Sequence, residues 1–327
     1  MDDDGILHPR EIHTGQEMAG PEIRPSTVKL PERPNPEVRT IFEFFLQRFP
    51  RVAPEAWSER FASGKVWAAG QSIDRSTPYQ PLLEVHYRRE VVSEPPVRED
   101  FRVVWSNEHL MVVDKPPFLP VTPGGRWVRN CLLHLLVEST GNCGIAPLHR
   151  LDRLTSGVML LSLDPATRSH FSGLFQPESQ VRREYTAVCE VARAQPSHLF
   201  RLRHHIARSP REYWRQIVVP DERANADCEV EISAVGGDLA LVRVRPATGR
   251  KHQLRVQLAE AGLPILGDPL YGNVRSYDPG DLSQRLWLDA HRISIHDFPL
   301  PGKSPLKGSW VSSRSPAEFF DRAVRSR

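Results

Sequence analysis

The chain has 327 residues, 39% of them hydrophobic, with 43 Lys plus Arg against 40 Asp plus Glu and a formal net charge of +3. That length and apolar content suit a folded protein with a sizeable core, and no run approaches the roughly 20 apolar residues that a membrane-spanning helix needs. With so small a net charge, the placement of the charges rather than their sum carries the information about partners. The four cysteines, Cys131, Cys143, Cys189 and Cys228, form no C-x-x-C pair, which speaks against a zinc site and for reduced thiols.

The opening MDDDGILHPREIHTG is acidic and lacks a basic segment followed by an apolar one, so the expectation is a cytoplasmic protein with no membrane partner. Residues 1–36 are rich in proline and poor in periodic apolar residues, and read as an extended arm without its own core. Over 37–92 the pattern changes. Ile41, Phe42, Phe45, Leu46 and Phe49 share one helical face, and a second helix starting at Pro54 carries Trp57 and Phe61 and stops at Gly64. KVWAAGQSI then reads as a small hairpin and Leu82 to Tyr87 as a further strand, before a linker with Pro95 and Pro96.

From residue 100 to 327 short strands follow one another: FRVVW, HLMVVD, GVMLLSL, EYTAVCEV, YWRQIVV, CEVEISAV, LALVRVR and RLWLDAHRISI. Three helical candidates lie among them, at 128–138, 165–175 and 250–262. Strands that mostly succeed one another directly predict an α+β domain built on a large mixed, mainly antiparallel sheet.

Three stretches concentrate chemistry. In PLHRLDRLTSGVMLL, Asp152 stands between Arg150 and Arg153, and neighbouring cations keep such a carboxylate ionised at neutral pH. That state suits nucleophilic or electrostatic work better than acid catalysis. In PATGRKHQLRVQLAEAGLPILGDPLYG, a turn at Thr248 and Gly249 precedes a helix with His252 and Arg255 on one face; Gly262 and Pro264 end it, and Gly267, Asp268 and Pro269 make a tight loop. In VRREYTAVCEV, strand alternation sends Tyr185, Ala187 and Cys189 to one face. A fourth stretch, RLRHHIARSPREYWR, reads as a basic loop: Arg201, Arg203, Arg208, Arg211 and Arg215, against the single acid Glu212, offer a track for phosphates, and Tyr213 and Trp214 offer stacking faces.

Taken together, these motifs resemble the RluA family of RNA pseudouridine synthases over about residues 100–300. VVDKPPFLPVTPGG is similar to the family's opening Lys-Pro motif, HRLDRLTSGVMLL to its catalytic motif, RREYTAV to its tyrosine motif and TGRKHQLRVQL with LPILGDPLYG to its closing motif. Thr122 and Gln257 depart from it, each standing where the family usually has His. The resemblance implies a pseudouridine synthase fold with a central cleft, an isomerase that acts on ribosomal or transfer RNA, and neither cofactor nor metal. It implies Asp152 as the essential carboxylate, Tyr185 stacked on the uracil, Arg255 paired with Asp152, and Arg150 filling the place of an extruded base. His149, Thr155, Arg250 and His252 would line the substrate site, with Lys115 joining the arginines of the basic stretch on RNA. The unit at 37–92 is similar to the RNA-binding module of a ribosomal small-subunit protein, and the expected state is a monomer. On the residues alone, two other readings stay open: RNA binding without catalysis, and a hydrolase using His149 or His252 as base.

Overall fold

The computed structural model describes residues 25–33, 38–50, 52–89, 93–175, 181–191, 199–212, 214–220, 222–273, 278–300 and 303–326. The chain divides into a smaller unit over 22–93 and a larger one that holds 94–327.

The smaller unit contains β1 (Ser26–Lys29), α1 (Ile41–Arg48), α2 (Pro54–Ala62), β2 (Val66–Ala68), β3 (Gln71–Ser72) and β4 (Glu84–Tyr87). Helix α1 starts where it does because Thr40 and Glu43 cap each other's backbone N–H, and Pro54 opens α2 at a position that needs no amide donor. Ile41, Phe45, Trp57, Val66 and Val85 are buried together, with the Phe45 and Trp57 rings edge to face at 4.8 Å. The sheet order is β1-β4-β2-β3. Strand β1 lies in the stretch read as an arm over 1–36, yet it pairs in antiparallel register with β4, so the unit begins before residue 37. The alternation of Ser26, Thr27, Val28 and Lys29 is too short to stand out beside the prolines. The rest of the predicted arm, residues 1–24, lies outside the described residues.

The larger unit runs β5 (Arg102–Ser106), β6 (Leu110–Lys115), α3 (Leu132–Thr140), β7 (Ala146–Pro147), β8 (Ser156–Ser162), a 3-10 turn (Arg168–Gly173), β9 (Val181–Glu190), β10 (Leu199–Arg208), β11 (Gln216–Val219), β12 (Ala226–Gly236), β13 (Leu239–Pro246), α4 (Gln253–Glu260), β14 (Leu288–Leu300), β15 (Lys303–Val311) and α5 (Pro316–Arg325). The described strands form one sheet in the order β11-β10-β12-β13-β9-β14-β8-β6-β5, with β15 beside β14 and β7 beside β8. All of these pairings are antiparallel except β8 with β14, so the fold is the mixed, mainly antiparallel α+β architecture that the strand pattern predicts. Among the described residues no helix is long and apolar enough to cross a membrane.

Three local expectations are corrected. The candidate helix at 165–175 is a short 3-10 turn, and α5, with Ser315 capping the Glu318 amide and Pro316 in the first turn, was not anticipated. The helix expected over 250–262 begins at Gln253, because His252 adopts a left-handed conformation with φ 55° and sits at its N-cap instead of on its face. The supposed basic loop is largely strand β10, whose alternation is masked by its arginines and histidines.

The sheet has two chemically distinct faces. Tyr185, Val244, Val230 and Phe200 stand in register across β9, β13, β12 and β10, on the face where Leu254 and Leu258 of α4 pack. The other face carries a charge ladder, in which Arg245 reaches Glu184 at 3.1 Å, Glu229 at 2.7 Å and Glu231 at 3.2 Å. At the sheet's centre, Gly157 of β8 stands opposite Ala290 of β14 with φ +111°, and a Cβ at this position would collide with the Ala290 backbone. Gly157→Ala therefore forces the two central strands apart. The expected result is a loss of about 3–5 kcal/mol of unfolding free energy in a urea titration.

Candidate active site

The loop between β7 and β8 brings Asp152 to the floor of a cleft of about 330 Å³, facing Tyr185 of β9 and the N-terminal end of α4. Leu151 and Leu154 are buried on either side of the aspartate, and the Thr155 amide closes the turn onto the Asp152 carbonyl at 3.1 Å. The loop is thus fixed by its leucines while Asp152 keeps about 20% of its side chain exposed to the cleft.

Arg255 organises the floor. Its Nε and Nη2 donate to Asp268 Oδ2 and Oδ1, each at 2.7 Å, and Nη1 donates to Asp152 Oδ2 at 3.2 Å. Asp268 also accepts the amides of Leu270 at 2.8 Å and Tyr271 at 3.2 Å, so its full burial is compensated. Burial alone would raise the Asp152 carboxyl; the charges of His252 and Arg255, with the hydrogen bond from Arg255, outweigh it and hold the group below the usual carboxylate range. His252 is itself pushed down to about 4 by burial, so it lends that charge only in acid, and at neutral pH the cation hydrogen-bonded to Asp152 is Arg255.

His252 is oriented by a hydrogen-bond chain. The Gln216 amide donates to the Tyr271 hydroxyl at 2.9 Å, and that hydroxyl is hydrogen-bonded to His252 Nδ1, also at 2.9 Å. The other ring nitrogen, Nε2, lies 3.8 Å from Asp152 Oδ2. Tyr185, whose phenol is pushed up by burial, stays neutral.

The remaining residues singled out from the sequence fall into three groups. Arg150 and Arg250 are exposed at the cleft rim, the latter held by the Asn225 carbonyl at 3.1 Å, and Thr155 is buried in the wall. His149 lines the wall, but its Nε2 accepts the Leu160 amide at 2.9 Å and burial pushes it down to about 3, so it is a neutral structural acceptor and no base. Lys115 is a correction: it is fully buried, and its ammonium donates to the carbonyls of Pro116 at 2.9 Å and Leu119 at 2.8 Å, out of reach of any phosphate. It braces the loops around the site, because its third partner is the Arg153 carbonyl at 3.4 Å.

The basic stretch also separates. Arg201 and Arg203 project from the charge-ladder face, opposite Tyr185, and both pair with Asp227, at 2.7 and 3.5 Å. Arg208 and Arg211 are exposed, Arg215 pairs with Glu212 at 3.1 Å, and Tyr213 lies outside the described residues. Residues that the sequence reading did not single out as site groups include Arg183, Lys251 and Tyr271. Arg183 was legible, standing two positions before Tyr185 on the same strand face, and it closes the cleft by donating to the Thr248 carbonyl at 3.1 Å. Among the described residues no group of three or more His, Cys, Asp or Glu side chains could hold a metal ion.

Residues 109–260 match the model of a family described as RNA pseudouridylate synthase. An uncharacterized RNA pseudouridine synthase of Synechocystis is 31% identical over 74% of this chain and 84% of its own length. Another, of Zymomonas mobilis, is 36% identical over 63% of this chain and 93% of its own. The chain belongs to the RluA family of RNA pseudouridine synthases. It is accordingly an isomerase that converts uridine to pseudouridine in RNA. The solved structure of human RNA pseudouridylate synthase domain containing 1 is similar in fold, with a TM-score of 0.52 and 20% identity over 71% of this chain and 98% of that one.

Within the synthase, the matched span holds Asp152, Tyr185 and Arg255, while Asp268 and Tyr271 lie beyond it. Asp268→Ala strips the buried guanidinium of its two-pronged partner. The expected cost is about 3–5 kcal/mol of unfolding free energy, read from the urea midpoint, whereas an unchanged midpoint would show that the pair does not organise the floor.

Proposed function

We propose that the synthase takes a uridine turned out of structured RNA, ribosomal or transfer RNA, into its cleft and that Asp152 is the carboxylate on which the isomerisation depends. The observation that carries this reading is the Asp152 carboxylate itself: ionised, four-fifths buried, and held by a guanidinium that a second carboxylate keeps in place. Turning a uracil out of its stack costs a few kcal/mol, and the exposed Arg150 at the rim is placed to fill the gap left behind. Tyr185 supplies a neutral ring for the uracil face, and Arg255 acts as a positioning residue through Asp152.

Isomerisation breaks the bond from N1 to C1′ and forms one from C5 to C1′; C5 gives up its proton and N1 gains one, so no co-substrate enters the balance. Whether the carboxylate attacks C1′, adds at C6 or removes a proton from C2′, each route needs it charged and fixed beside the sugar. Both histidines of the hydrolase alternative are disfavoured as bases, since His149 already accepts an amide proton and burial pushes His252 down to about 4, which makes it a weak base. The binding-only alternative leaves the buried carboxylate without a purpose.

Asp152→Asn is expected to lower turnover by about 10³-fold or more while leaving the thermal midpoint near that of the parent, measured as tritium released from RNA labelled at uracil C5. Parental turnover in this variant would remove Asp152 from the chemistry. The active form is the carboxylate, which exists above its pKa and is lost as pH falls through it. Because that pKa lies below 3.8, kcat/KM is expected to show no loss from Asp152 between pH 7 and about 5. A carboxylate-type decline centred near pH 6 would contradict this assignment.

A further inference from the structure

Trp214 is 41% exposed, one of few large apolar side chains left in water among the described residues. It sits between β10 and β11, where Arg215 donates its amide to the Glu212 carbonyl at 2.8 Å and its guanidinium to the Glu212 carboxylate at 3.1 Å. Two further bonds tie the turn to the cleft. Lys251, on the cleft lip, donates to the Trp214 carbonyl at 3.1 Å, and the Gln216 amide donates to the Tyr271 hydroxyl that orients His252. The Trp214 backbone is thereby tied to the cleft lip. The rim around it is cationic, with Arg150, Arg208, Arg250 and Lys251 all exposed, and the Arg150 and Arg208 charges both act on the Lys251 ammonium.

An exposed aromatic ring tied through its backbone to the cleft lip and bordered by cations, on an enzyme whose substrate is RNA, matches the chemistry of an unpaired nucleotide: a π-face for the ring and a phosphate for the cations. We infer that Trp214, Arg208 and Lys251 form a subsite for an unpaired nucleotide flanking the target uridine, the indole stacking on its base and the two cations meeting its phosphate. The inference rests on the uridine entering the Asp152 cleft, and it divides the basic stretch in two. Arg208 serves the RNA; Arg201 and Arg203, on the far face of the sheet and paired with Asp227, do not.

The test is equilibrium binding of a fluorescein-labelled RNA hairpin with a short uridine loop, titrated across salt concentrations in the otherwise intact protein and again with Asp152→Asn. Trp214→Ala is expected to weaken binding about fivefold or more at every salt concentration without changing the salt slope, and Trp214→Phe to restore most of the loss. Arg208→Ala with Lys251→Ala is expected to lower the slope by about 1.4, at roughly 0.7 per single-strand phosphate contact. Arg201→Ala with Arg203→Ala is expected to leave both affinity and slope unchanged. In steady state Trp214→Ala is expected to raise KM and leave kcat within about twofold, the mark of an interaction equal in ground and transition states. Affinity within twofold of the parent for Trp214→Ala, or failure of Phe to restore it, overturns the subsite. RNA-induced quenching of tryptophan fluorescence gives an independent reading: equal quenching in the parent and in Trp214→Phe would also overturn it. Because binding is read without turnover, failure of the Asp152 assignment would show in the tritium assay and leave these binding results standing.

Discussion

One guanidinium shared between two carboxylates holds the site together. A buried arginine is tolerable only if its donors are matched, and Asp268 matches two of them in the flat, forked geometry that suits a carboxylate. What remains on Nη1 is a fixed donor aimed at Asp152, 103 residues earlier in the chain. Arg255 thereby joins three pieces of the larger unit: the loop entering β8, the first turn of α4 and the loop after it. Because Asp268 is itself saturated by two amides, Arg255 cannot swing away to satisfy Asp152 in another geometry.

The same economy of buried charge appears behind the site. Asp289 of β14 accepts hydroxyls from Ser156, the first residue of β8, at 2.5 Å and from Ser312 at 2.6 Å. Arg314 pairs with Asp114 at 2.6 Å, next to the buried Lys115 that grips the Arg153 carbonyl. The strand ends that carry the Asp152 loop are thus fixed by satisfied polar groups, and charge is left free to work only where the cleft opens. The charge ladder on the far face pairs its arginines with carboxylates, whereas the cleft rim has an excess of cations, which is where a polyanion is drawn.

Much of this was legible in the chain. The strand succession predicts the mixed sheet, the spacing of Ile41, Phe42, Phe45, Leu46 and Phe49 predicts one helix, and Pro54 marks the start of another. What was not legible has physical reasons. Strand β10 hides its alternation because one face is a charge ladder and the other holds His204, which meets Gln257 of α4 at 3.3 Å, so neither face is plainly apolar. The burial of Lys115 follows from the fold of the chain just after it, which brings the Pro116 and Leu119 carbonyls onto its ammonium, and from the distant Arg153 carbonyl, none of which the residue pattern announces. The link from Arg255 to Asp268 crosses a turn whose spacing has no helical or strand period.

The central claim concerns the ionisation of one carboxyl group, and it can be measured on that group. Carbon-13 NMR of protein labelled at the aspartate carboxyl carbon, with the Asp152 signal assigned by its loss in Asp152→Asn, follows this titration directly. The account predicts a signal that stays at its carboxylate position from neutral pH down to about 5 and titrates with a midpoint below the ordinary value of 3.8. A signal that titrates between pH 5 and 7 would mean that burial outweighs Arg255, and would contradict the account.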